Sequence, residues 1–136
     1  MEKQELLFRG KRLSEKKWVQ GGYVYDAVLN KHTILEPYQD TYQGMFVEPD
    51  SVGQYIGIRD RNGNRIFTGD IIEALLDDGD HGTFKCRNFI TWNGHAFCWC
   101  ETEELHPIDD WDAKNYSENW EVVGNMFDNL ELMKDR

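Results

Sequence analysis

Three cysteines and three of the four histidines are the residues best suited to metal chemistry: Cys86, Cys98 and Cys100, with His81, His95 and His106 nearby in the chain. Side chains two apart on a strand project from one face, so Cys98 and Cys100 point the same way, and Cys86 falls on the strand expected to pair with theirs. A Cys3His zinc site can be drawn from these residues. Three features weigh against it: Cys-x-Cys lacks the knuckle spacing of structural zinc sites, a regular strand turns His95 away from Cys98, and cysteine is a common core residue. The favoured reading is buried thiols, with no metal and no cofactor.

The carboxylates form two groups. Asp77, Asp78 and Asp80 precede His81 in a loop, and Asp109, Asp110 and Asp112 lie in a second acidic stretch. Either could offer oxygen ligands to a divalent cation, but the first lacks the spacing and terminal Glu of an EF-hand. A metal-dependent enzyme is the reading these groups leave open, and neither has the companion lysine or matched acid pair such chemistry uses. The sequence contains no Gly-x-Ser-x-Gly elbow, phosphate-binding glycine loop or dinucleotide fingerprint, so no catalytic residue is assigned. Aromatic residues are more promising. Trp92, Phe97, Trp99, Trp111, Tyr116 and Trp120 exceed what a small sheet must bury, and exposed rings are how small β-domains grip peptides. The expected partner-binding residues are Trp92, Trp99, Trp111 and Tyr116, with Asp77, Asp78 and Asp80 beside them.

Charge sharpens this. The 136 residues carry a net charge of -10, with 10 Lys or Arg against 9 Asp or Glu in residues 1–68 and 5 against 16 in residues 69–136. Such a field repels nucleic acid backbones and attracts basic partners or cations. Direct nucleic acid binding is not expected; an acidic mimic of nucleic acid, occupying the basic groove of a DNA-binding protein, is an alternative reading. No apolar run is long enough for a signal peptide or a membrane span, and the odd cysteine count argues against a disulfide framework, so a cytoplasmic protein is expected.

The elements that must position these residues are short strands. The stretch Gln54 to Ile72 reads as a hairpin running into a third strand. It turns at Asp60-Arg61-Asn62-Gly63 and again at Thr68-Gly69-Asp70, so Gly57, Asn62, Gly63, Gly69 and Asp70 are the expected fold determinants. Strands are expected at 54–58, 65–67, 70–76, 83–92 and 95–100, with 120–123 closing a small SH3-like antiparallel barrel. Short runs at 5–9, 17–19 and 22–25 predict an N-terminal β-meander, and His32–Leu35 and Met45–Val47 are weaker strand signals. A short helix is expected within Asp109–Asn115, and one or two helical turns near the C-terminus. The fold class is therefore mainly β, of β-rich α+β type, in a single domain 1–136 with a subdomain 1–50 packed on the barrel 51–136.

The segment from Gln54-Tyr55-Ile56-Gly57 to Gly69-Asp70-Ile71-Ile72, with Trp120-Glu121-Val122-Val123-Gly124-Asn125 and Asp128-Asn129, resembles the YopX-like family of phage and prophage proteins. Phe8-Arg9 and Pro49 to Val52 also resemble that family's pattern. The resemblance implies a β-rich accessory protein of a phage or prophage, acting in the bacterial host cell, and it transfers no catalytic residue. The expectation is a non-catalytic module that binds a host or phage protein, with self-association left open.

Overall fold

The computed structural model describes residues 5–77, 79–80, 82–100, 104–109 and 118–134, in two compact units divided between Tyr55 and Ile56. In the first unit, β1 (Phe8–Lys11), β2 (Trp18–Asp26), β3 (Lys31–Tyr38) and β4 (Thr41–Phe46) form an antiparallel meander. A single 3-10 turn, Pro49–Ser51, delivers the chain into β5 (Gly53–Arg59). The start of β5 pairs with β1, Phe8 opposite Gln54 and Arg9 opposite Gly53. Each turn has a local cause. Asp26 Oδ1 accepts the amides of Val28 and Leu29 at 2.9 and 3.1 Å, and Gln39, at φ +52°, reverses the chain between the paired Tyr38 and Thr41. Alternation puts Val19, Ile34, Met45 and Val47 on one face, where they form a core with Phe8, Tyr23 and Val52. Gly21 is required at its place: a Cβ there would lie 1.9 Å from the Leu35 carbonyl oxygen.

The second unit begins within β5 and adds β6 (Arg65–Phe67), β7 (Asp70–Asp77), β8 (Thr83–Trp92), β9 (Phe97–Cys100), β10 (Leu105–Pro107) and β11 (Trp120–Asn125). A five-stranded antiparallel sheet runs in the order β10-β9-β8-β7-β11. Its core is Ile56, Ile66, Ile72, Ala74, Ile90 and Trp120, with Ile58, Phe97, Trp99, Ile108 and Val122 packed against it.

The mainly β, antiparallel expectation holds, but the barrel does not close. The strand expected to seal it, 120–123, instead lies along β7, pairing Trp120 with Ala74 and Val122 with Ile72, so the sheet stays open with β10 at its other edge among the described residues. Beyond that ladder, β11 is also tied to the first hairpin's turn. Asp60 Oδ2 accepts the Val122 amide at 2.9 Å, and the Arg61 amide donates to the Trp120 carbonyl at 2.9 Å. The C-terminal segment forms one 3-10 turn, Leu130–Met133. The helix expected at Asp109–Asn115 lies, after its first residue, outside the described residues.

Candidate functional site

The β8–β9 hairpin and β10 assemble a row of rings. Trp92 pairs with Phe97, Ile90 with Trp99, and Trp99 in turn with His106, so these side chains share one face of the sheet. Between β8 and β9, Asn93 Oδ1 accepts the amides of His95 and Ala96, each at 2.8 Å, which fixes the reversal. The indole of Trp99 stacks on the His106 imidazole with ring centroids 4.1 Å apart and planes 19° apart. Trp92 meets Phe97 edge to face at 5.0 Å. Inward, the row joins the core through Phe97 and Trp99; outward, Trp92 keeps 52% of its surface exposed. Glu104 Oε2 lies 3.6 Å from His106 Nε2, placing a carboxylate at the row's far end. Partly covered rings with an adjacent acid suit a cation or a basic side chain laid over a ring face.

Of the expected partner-binding residues, Trp92 and Trp99 stand in this row. Asp77 ends β7 and Asp80 is exposed in the following loop, whereas Asp78, Trp111 and Tyr116 lie outside the described residues, as does His81. The row gains a member the sequence reading did not stress, His106. Its signal was the register of a three-residue strand, too short to be read before β9 is in place.

The cysteines do not converge. Cys98 and Cys100 are buried on the face of β9 shared with Thr91 and Phe89, while Cys86 pairs with Ala74 and lies on the opposite face. His95 sits in the turn before β9, and His106 is stacked on Trp99. None of the three cysteines enters a disulfide, and among the described residues no three His, Cys, Asp or Glu are grouped to hold a metal ion. Burial pushes the Cys98 pKa up, so its thiol, 3.6 Å from the Ala96 carbonyl oxygen, stays protonated at neutral pH.

Two buried carboxylates organise this unit: Asp70, expected as a fold determinant, and Asp60, which stands in the expected first turn but was not singled out. Asp60, only 5% exposed, accepts the amides of Asn62 and Asn64 through Oδ1 and that of Val122 through Oδ2, all at 2.9 Å. An Asp at the head of Arg-Asn-Gly-Asn is the pattern of such a side-chain turn and could have identified it. Asp70, 1% exposed, accepts the Phe67 amide at 2.7 Å and holds the second turn, where Gly69 has φ +93°. On the sheet's other face, Glu73 joins Arg87 at 3.2 Å and Lys85 at 3.4 Å, and Arg87 Nη1 donates to the Leu132 carbonyl at 3.1 Å. Burial raises the Glu73 pKa, but hydrogen bonds and charge from Arg87 and Lys85 outweigh it and leave the group below the ordinary range. This is a structural clamp on the C-terminal turn.

The crystal structure of protein EF1440 from Enterococcus faecalis is similar over 96% of this chain and 99% of that one, with a TM-score of 0.60 and 19% identity, a likeness of fold. No curated protein matches the chain. The family model described as YopX protein matches residues 7–134, nearly the full length, and the chain belongs to that family.

Proposed function

We propose that this protein is a non-catalytic binding module that captures a basic segment of a host or phage protein on the Trp92, Phe97, Trp99 and His106 row. The observation that carries the reading is the row itself: rings ordered by cross-strand pairing, anchored in the core at one end and half exposed at Trp92. Charge supports it, because residues 56–136 hold 8 Lys or Arg against 17 Asp or Glu. An accessory role for a phage or prophage, in the cytoplasm of the bacterial host, is the setting the family resemblance supports; no helix among the described residues is long and apolar enough to cross a membrane.

The test is capture of Arg-rich and Lys-rich peptides of scrambled sequence by the immobilised full chain, against acidic peptides as control. Binding of the basic peptides, weakened at least about tenfold by Trp92→Ala, is expected from loss of one well-placed cation–π contact. Trp92 is half exposed, and circular dichroism of the variant checks that the fold is kept. Binding that the substitution leaves unchanged would move the partner site elsewhere, and no binding of basic peptides would sink the proposal.

A further inference from the structure

We infer that β4 is a self-pairing edge, joining two copies of this chain by antiparallel addition of one β4 to the other. The strand is hydrogen-bonded to β3 on one side. On its other side, among the described residues, only the end is covered, where the Leu13 amide donates to the Phe46 carbonyl at 3.0 Å and Arg12 bridges Val47. Because the Val47 amide donates to His32 on β3, alternation directs residues 41, 43 and 45 toward β3 and turns the backbone groups of Tyr42, Gly44 and Phe46 outward. The Phe46 oxygen is taken by Leu13. The outward N–H and C=O groups of Tyr42 and Gly44 meet no strand among the described residues, and Thr41, Tyr42, Gln43 and Gly44 are all exposed.

Sheet proteins guard such edges with charge, proline, bulges or brevity. The sequence of β4, Thr-Tyr-Gln-Gly-Met-Phe, has no charge and no proline, and its register with β3 runs unbroken from Thr41 to Phe46. An unguarded edge pairs with an extended segment, and the geometry here selects a second copy. With the two-fold axis at Gln43, Tyr42 of one copy faces Gly44 of the other, and the reverse. The two positions exchange four N–H···O bonds and stop short of the occupied Phe46 oxygen. Each Tyr42 ring then covers the glycine opposite, a pairing that compensates a bare strand glycine, and lies diagonal to the exposed Phe46. Charge permits the approach: residues 1–55 hold 7 Lys or Arg against 8 Asp or Glu, so two first units meet with almost no net repulsion.

Sedimentation velocity on the full chain from about 1 µM to 1 mM tests this. A concentration-dependent dimer is expected. Gly44→Pro deletes one outward N–H per copy at an edge position, with its Cβ pressed to 3.2 Å from Thr33 Cγ2, and should raise the dissociation constant about tenfold or more. Gln43→Lys and Gln43→Glu, at an exposed position, each set like charges across the axis and should weaken the dimer several-fold, while an equimolar mixture of the two should form a heterodimer tighter than either homodimer. A wild-type chain that stays monomeric throughout the range overturns the inference. So does a dimer whose charge variants show no preference for each other, an outcome readable even if Gly44→Pro fails to fold.

Discussion

Asp60 offers the sharpest test of how the second unit holds together, because its two carboxylate oxygens serve different parts of the chain. Oδ1 closes the turn between β5 and β6 through Asn62 and Asn64, and Oδ2 reaches the Val122 amide on β11. In Asp60→Asn the amide oxygen can still serve the two turn amides, but its NH2 faces the Val122 N–H, donor against donor. One hydrogen bond to a charged group is lost, worth roughly 1.5–3 kcal/mol, and the buried donor it leaves adds to the cost. A loss of about 3 kcal/mol in urea unfolding is therefore expected for Asp60→Asn, and about 4 kcal/mol for Asp60→Ala, which abandons all three amides. Amide hydrogen exchange gives the residue-level readout: in Asp60→Asn the Val122 amide should exchange far faster than in wild type, with Asn62 and Asn64 changed least. Flipping of the new amide would reverse that order at a larger cost. If Asp60→Asn unfolds within about 0.5 kcal/mol of wild type and Val122 keeps its protection, the Asp60 carboxylate does not hold β11 to the turn and the reasoning is refuted.

Three further outcomes follow from the packing. Glu73 has a folded-state pKa below its unfolded value, so its contribution to stability is complete above the ordinary glutamate range and is lost as pH falls through the folded value; Arg87→Met should flatten that acid-side decline in urea midpoints and loosen the Leu130–Met133 turn, and an unchanged pH profile would refute the clamp. Asn88 is buried opposite Ile72, its Nδ2 donating weakly to Cys86 Sγ at 3.8 Å and its Oδ1 without a hydrogen-bond partner among the described residues, so Asn88→Val should stabilise by about 1 kcal/mol; destabilisation would show that the amide is used. Gly21→Ala drives a Cβ into the Leu35 carbonyl and should cost at least about 2 kcal/mol, whereas Gly22→Ala, whose nearest neighbour would be Leu35 Cβ at 3.9 Å, should cost less than about 1 kcal/mol; equal thermal midpoints would contradict the close approach.

Local chemistry was legible in the sequence, and long-range pairing was not. The β7 and β8 strands announce themselves because Ile71-Ile72 and Phe89-Ile90 are apolar, β-branched or aromatic, and bounded by turn residues. The β3–β4 hairpin was nearly invisible for the opposite reason. Its reversal uses Gln39 at φ +52°, a residue with no turn signature, and its strands contain Pro37 and Gly44, which read as breakers. Barrel closure failed as an inference because β11 pairs with β7, whose residues lie some fifty positions earlier in the chain, and no local signal at 120–123 names that partner. The cysteines show the same limit from the other side. Spacing alone puts Cys98 and Cys100 on one face, but only the register of β8 against β9 shows that Cys86 belongs to the other. For the candidate site, Trp92 and Trp99 could be named from composition, while their arrangement with Phe97 and His106 needed the ladder.

The two binding features proposed here rest on different forces, and that makes them separable in one titration. Capture on the Trp92 row draws on the negative field of residues 56–136 and on cation–π attraction at a half-exposed ring, so added salt should weaken it steadily. Pairing through β4 uses main-chain hydrogen bonds and a ring over a glycine, with no charge on the strand. Its constant should be nearly indifferent to salt, and raising the ionic strength should, if anything, ease the approach of two acidic chains. A protein whose self-association falls with salt while peptide capture holds would have these assignments reversed. The acidic unit would then be the one that self-associates, through cations, and the aromatic row would bind by apolar contact alone.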